Sequence, residues 1–148
     1  MFLLSGDVLL NLGVAGETSS RNWFRTQNPS LCKLSVVAIG MAEIAIHVRF
    51  ANSPSRRRNW LSALHAVVAR QTAFAGDPLA IDAKVASHWV TLELESLETS
   101  DAQGNPQRLD SNHRMVIATA QAHGLEFVDT DKPWHSDVRA LQVRVCSL

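Results

Sequence analysis

Residues 108–132, RLDSNHRMVIATAQAHGLEFVDTDK, read as a capped helix, a glycine stop and a short apolar strand that ends in acids. Asp110 or Ser111 supplies the N-cap, and Val116, Ile117, Ala118, Ala120 and Ala122 form an apolar face of mostly small residues, suited to close packing. Gly124 ends the helix. Leu125, Phe127 and Val128 then form a buried strand, so Asp129 and Asp131 fall at its C-terminal edge. Open α/β sheets hold their ligands there, and the functional site is expected beside these acids.

The rest of the chain is consistent with one domain spanning residues 1–148. At 148 residues and 46% hydrophobic it is long enough to bury a core. Its 14 basic and 14 acidic side chains cancel, which argues against a general nucleic-acid coat and leaves only a local patch to meet a polyanion. Met1 to Leu4 are apolar, but Asp7 interrupts them and no basic segment precedes them. They are too short for a signal peptide or a membrane span, so a cytoplasmic protein without membrane contact is expected. Cys32 and Cys146 lack metal-ligand spacing and read as free thiols.

Phe2–Leu4 read as a first strand that turns through Ser5-Gly6-Asp7 into a helical segment from Val8 to Leu12. Ser19 or Ser20 caps a short helix carrying Trp23 and Phe24. Leu34–Val37 read as a second strand. From Ala38 onward, Ile39, Ala42, Ile46 and Phe50 are spaced for a helix, with Glu43 at the margin of the buried stripe, either as a surface acid or pointing into a site. Ser53-Pro54 restart a helix that buries Trp60, Leu61, Leu64, Val67 and Val68 and runs to Ala73. Arg56, Arg57 and Arg58 crowd its first turns, where the helix dipole disfavours cations, and read as a solvated face or a phosphate-contacting patch. Asp82 caps a further helix with Val85, Trp89, Leu92 and Leu97 inward. Asp101–Gln107 form a polar loop, and Leu141, Val143 and Val145 alternate as a last, edge strand. The fold class is α/β, a three-layer α/β/α sandwich around a mostly parallel sheet.

Phe2-Leu3-Leu4 before a polar turn, Leu34-Ser35-Val36-Val37 leading to Glu43, Trp60-Leu61, Ile81-Asp82 with Trp89, Ile117-Ala118-Thr119-Ala120, His123-Gly124-Leu125 and the acid-tipped strand to Asp131 together resemble a PIN domain of the VapC or FitB type. The likeness runs in order through nearly the whole chain. It implies the toxin of a toxin–antitoxin pair, a homodimer that cuts RNA with Mg²⁺ or Mn²⁺ held by about four carboxylates. It also implies a small antitoxin whose C-terminal segment fills the acidic pocket. Hard divalent ions take oxygen ligands, ionise a water and neutralise the charge that builds on phosphorus.

On that resemblance Glu43 and Asp131 match family acids and, with Asp7, are the catalytic candidates. Asp129 and His113 join them as candidate metal ligands. Arg56, Arg57, Arg58 and Arg114 are candidate RNA contacts. Two family acids are replaced, one by Ser5 and one by His113, which removes two negative charges from a site whose ion affinity depends on charge. Asp110, one turn before His113, is close enough to lean in. No G-x-S-x-G elbow surrounds Ser5, and nothing in the sequence identifies a base for it. Two readings follow: a metal-dependent endoribonuclease, or a degenerate PIN fold that works through contacts with an antitoxin or with itself.

Overall fold

Leu3, Leu4 and Val128 are fully buried at the centre of the molecule, because the first strand, β1 (Phe2–Leu4), runs between two others. The computed structural model describes residues 1–14 and 16–148. After β1 come α1 (Gly6–Gly13), α2 (Ser19–Arg25), a 3-10 turn at Pro29–Leu31, β2 (Cys32–Lys33), α3 (Val36–Arg49), α4 (Pro54–Ala75) and α5 (Ala83–Glu93). A hairpin of β3 (Glu98–Ser100) and β4 (Pro106–Arg108) follows, then α6 (Ser111–His123), β5 (Glu126–Asp129), α7 (His135–Ala140) and β6 (Val145–Ser147).

The main sheet has the order β2-β1-β5-β6, and every pair in it is parallel. Phe2 pairs with both Cys32 and Glu126, Leu4 with Val128, and Phe127 with Val145. Parallel strands need covered faces, and helices supply them in a three-layer α/β/α sandwich. The strand order reverses direction around β1 and β5, so the carboxyl ends of these two strands, at Ser5 and Asp129, open the crevice where such sheets hold ligands.

Local chemistry explains most boundaries. Asp110 caps α6 by accepting from the His113 N–H at 2.9 Å, and Gly124 ends that helix with φ 63°, the left-handed conformation that favours glycine. Asp82 caps α5 through the Val85 N–H at 2.9 Å. Thr18, rather than Ser19 or Ser20, caps α2. The expected strand at Leu34–Val37 is corrected: Ser35 accepts from the Ala38 N–H at 3.1 Å, which starts α3 at Val36, and the strand is the pair Cys32–Lys33 before it. A β-branched run inclines to strand, but a capping hydroxyl in front of it decides for helix. The last strand begins later than the Leu141–Val145 alternation suggests, because Gln142 takes φ 63° and breaks any extended run. β6 does lie at the sheet edge.

Both thiols are free, and burial pushes that of Cys32 up to about 11, which leaves it a packing group. Among the described residues no helix is long and apolar enough to cross a membrane.

Gly6 sets how closely α1 approaches α3. A Cβ there would lie 3.1 Å from the Ala38 carbonyl oxygen and 3.2 Å from the Met41 Cβ. Gly6→Val is therefore expected to cost about 1–3 kcal/mol by overpacking, read as a lowered urea midpoint with unchanged slope.

Candidate functional site

The carboxyl ends of β1 and β5 open into a cavity of about 430 Å³. Its floor carries Ser5, Gly6, Asp7 and Asp129, one wall comes from α6 with His113 and Val116, and the other is α3. From α3 the lining residues are Met41, Ile44, Ala45, Val48 and Arg49, mostly at the i, i+3, i+4, i+7 spacing of one helix face. Ile44 is 59% exposed and Val48 74% exposed, so the mouth is apolar and open to solvent. A second cavity, of about 520 Å³, shares Asp7, Ala45 and Arg49 with the first and reaches Trp60 on α4. The Arg49 guanidinium lies 4.9 Å from the Trp60 ring centroid and 5.5 Å from that of Phe50, which holds it against the aromatics.

The acids at this end of the sheet already have partners. Asp7 is bonded to the Lys132 ammonium at 2.7 Å and accepts from the Thr130 hydroxyl at 3.3 Å. Burial works against the Lys132 charge, but the Asp7 carboxylate holds its pKa above the usual lysine value. Asp129, 2% exposed, accepts from the Thr130 N–H at 2.9 Å and from Nε2 of His135 at 3.1 Å. His135 is itself buried, and its Nδ1 accepts from the Ser147 hydroxyl at 2.7 Å. Asp110 holds Nδ1 of His113 at 2.9 Å. Burial opposes the Asp110 charge, yet the His113 N–H and ring keep its carboxyl below the ordinary range.

The predicted site residues separate under this geometry. Asp7, Asp129 and His113 line the cavity, and Asp110, noted as close enough to lean in, lines it too. Glu43 does not: it is two residues on from Met41, about 200° round the helix. It binds Nε2 of His65 on α4 at 2.8 Å instead. Met41 holds the position expected for Glu43, facing the corner that Ser5 and Gly6 make. Asp131 is exposed and lines neither cavity, because β5 ends at Asp129 and the chain turns away, with the Asp131 N–H donating to the Leu148 carbonyl.

Arg114 requires correction. It is fully buried and donates to the carbonyls of Leu109, Leu92, Glu95 and Leu97, closing the end of α5 against α6. Burial lowers its pKa from the usual arginine value. Such a group cannot reach RNA. Arg56 and Arg58 are exposed and Arg57 is half-buried, donating to the Ala51 carbonyl at 3.4 Å. They stand in a stretch, residues 44–76, that contains five arginines and no acid.

Do these residues fit a hard divalent ion? Such an ion wants several carboxylate and water oxygens in near-octahedral order. Among the described residues no three His, Cys, Asp or Glu side chains are grouped to hold one. The cavity presents Ser5, Met41 and His113 beside Asp129, and its carboxylates are already engaged by Lys132, His113 and His135. The donor set does not fit the ion.

Sequence reasoning missed Met41, Arg49 and the His135–Ser147 pair. The stripe of 41, 44, 45 and 48 carries a signal at helical spacing. Nothing local announces His135, whose partner Asp129 arrives through the fold.

No family model and no curated protein sequence matches the chain. Solved structures do match. A chain of FitAcB from Neisseria gonorrhoeae superposes with TM-score 0.72 at 17% identity, covering 98% of this chain and 96% of that one. VapBC2 from Rickettsia felis, bound to a DNA fragment from its promoter, gives 0.70 at 10% identity over 99% and 98%. VapC20 of Mycobacterium tuberculosis, described as a sarcin-ricin loop cleaving toxin, gives 0.64 at 12% identity over 93% and 95%. With the parallel β2-β1-β5-β6 sheet between its helix layers, the chain has the PIN-like fold of the FitB and VapC toxin structures.

Proposed function

We propose that this protein is the toxin-fold member of a toxin–antitoxin pair that acts through protein contacts and does not cut RNA by metal catalysis. One observation carries the reading: the α3 wall of the cavity is Met41, Ile44, Ala45 and Val48, an apolar slot where a nuclease centre needs a carboxylate. Structures of this fold include a toxin–antitoxin complex from Klebsiella pneumoniae and VapBC-5 from Mycobacterium tuberculosis, a member of the VapBC family of toxin–antitoxin systems. In this chain a partner segment would seat apolar side chains between Met41, Val48 and Val116. A basic group on it would meet the rim acids Asp7 and Asp110.

The purified chain is expected to leave both structured and single-stranded RNA intact in Mg²⁺ and in Mn²⁺. Cleavage abolished by Asp7→Asn or Asp129→Asn, at the cavity, would restore a metal-dependent ribonuclease.

The reading also includes a homodimer. Val90 and Leu94 stand one turn apart at the end of α5, 53% and 84% exposed, an apolar pair that a second copy would cover. Light scattering on the eluting chain should give about twice the 16.3 kDa of one chain, and Val90→Asp with Leu94→Asp should return it to one. A wild-type monomer at micromolar concentration would rule the dimer out.

A further inference from the structure

One cavity is lined by a hydroxyl at the start of a helix, an imidazole and the carboxylate that orients it, and partner binding leaves the first two unused. We propose that Ser5, His113 and Asp110 form a metal-independent acyl-transfer site for small uncharged esters with an apolar acyl chain. This activity goes beyond partner binding and does not rest on it, because the free chain is the material tested.

His113 is the candidate base. His113 Nδ1–H donates to Asp110 Oδ2 at 2.9 Å, which favours the neutral tautomer whose Nε2 carries the lone pair. The His113 and Trp134 rings lie nearly perpendicular with centroids 5.8 Å apart, a contact that restrains the imidazole. Asp110 is itself locked by accepting the His113 backbone N–H, and its lowered pKa keeps it ionised at neutral pH. A carboxylate on Nδ1 and a bare Nε2 on a residue that lines a cavity is the arrangement of a general base.

Ser5 lies on the floor of the same cavity, where β1 ends and α1 begins. Its Oγ accepts the Val8 N–H at 3.1 Å, and among the described residues no group accepts the hydroxyl proton. Ser5 and His113 are not hydrogen-bonded to each other in this structure; such contacts commonly close only around a substrate. The N–H groups of Gly6 and Asp7, in the first turn of α1, have no intrahelical acceptor and stand next to Ser5, where an oxyanion would form. Gly6 has no side chain to cover them.

The walls select the substrate. Met41, Ile44, Val48, Val116 and Phe127 suit an apolar acyl chain, and about 430 Å³ admits a small one. Asp7, Asp110 and Asp129 outnumber Arg49 among the charged groups lining the cavity, which disfavours a phosphodiester or other anion.

In the reaction, Ser5 Oγ bonds to the ester carbonyl carbon while its proton passes to His113 Nε2. The carbon–oxygen bond to the alcohol then breaks, and the alcohol leaves with that proton. Water attacks the acyl-serine, gives a proton to Nε2, and the acid departs as Ser5 regains it. No metal, oxidant or reductant enters the balance.

The test treats the purified full chain in EDTA with an alkyl fluorophosphonate and with p-nitrophenyl butyrate. One phosphonyl adduct per chain is expected on the peptide containing Ser5, with ester turnover that the adduct abolishes. Ser5→Asn keeps a capping side chain and should take no label. His113→Gln should label at least about a hundredfold more slowly. An unlabelled but folded wild-type chain, an adduct on another residue, or equal labelling rates with and without His113 would each overturn the proposal. Because the adduct is mapped on the wild-type chain, the test does not depend on whether either variant folds.

Discussion

Arg114→Ala is expected to lower the unfolding free energy by roughly 2–4 kcal/mol, from hydrogen bonds lost to buried carbonyls and the void left behind, with no selective effect on any interaction with RNA. The guanidinium donates to four carbonyls: Leu109 at 2.7 Å, Glu95 at 2.9 Å, Leu97 at 3.0 Å, and that of Leu92. Leu92, Glu95 and Leu97 lie at or beyond the end of α5, and each of their carbonyls also accepts a backbone N–H, from Glu95, Leu97 and Leu109 respectively, so the guanidinium supplies a second donor to each. Alanine would remove all four of these hydrogen bonds and open a void between α5 and α6. Arg114→Lys should recover only part of the loss, because one ammonium cannot serve four acceptors arranged for a planar fork. Urea titration followed by circular dichroism measures both variants. A cost below about 1 kcal/mol would mean that the carbonyls find water instead.

The second large effect is a gain. Ser5→Asp, Met41→Glu and His113→Asp together should raise Mn²⁺ affinity by at least about a hundredfold, since ion affinity follows the number of charged oxygen ligands facing one cavity. All three positions line the cavity beside Asp129. Aspartate at residue 5 still caps α1, and aspartate at 113 sits in the first turn of α6, where the dipole favours it. Relocating Glu43 alone would not serve, since it lies on the His65 side of α3. If the triple variant binds Mn²⁺ no better than the wild type, Met41 is not the position that closes the ligand ring.

How the fold could be read before the site is clear from individual residues. Asp110 and Gly124 bracket α6 by backbone chemistry that acts within a few residues, and Leu125 to Val128 carry the apolar run of a strand buried on both faces. Such signals are local and survive without knowledge of the partners. The Val36-Val37 reading failed because two local tendencies compete there, and the Ser35 cap wins. α7 and the β3–β4 hairpin are short and owe their form to tertiary contacts, so no periodicity announces them.

The site was harder because it depends on which side of an element a residue faces. Glu43 and Met41 are two positions apart, a small step in sequence and more than half a turn on a helix. The family likeness makes Arg114 a candidate RNA contact, yet Ile117 and Ala118, three and four residues on, lie in the buried face and share its side of α6. Asp129 and Asp131 have the same strand parity, but the strand ends at the first of them. The likeness of fold survives this rearrangement of acids, as expected when sites are carried by a scaffold and are not dictated by it.

The most direct test of a metal-free cavity is a calorimetric titration of Mn²⁺ into the purified wild-type chain at neutral pH. Only heats of dilution are expected, with no saturable site at up to millimolar ion. A stoichiometric isotherm lost in Asp129→Asn would contradict this and restore the metal centre.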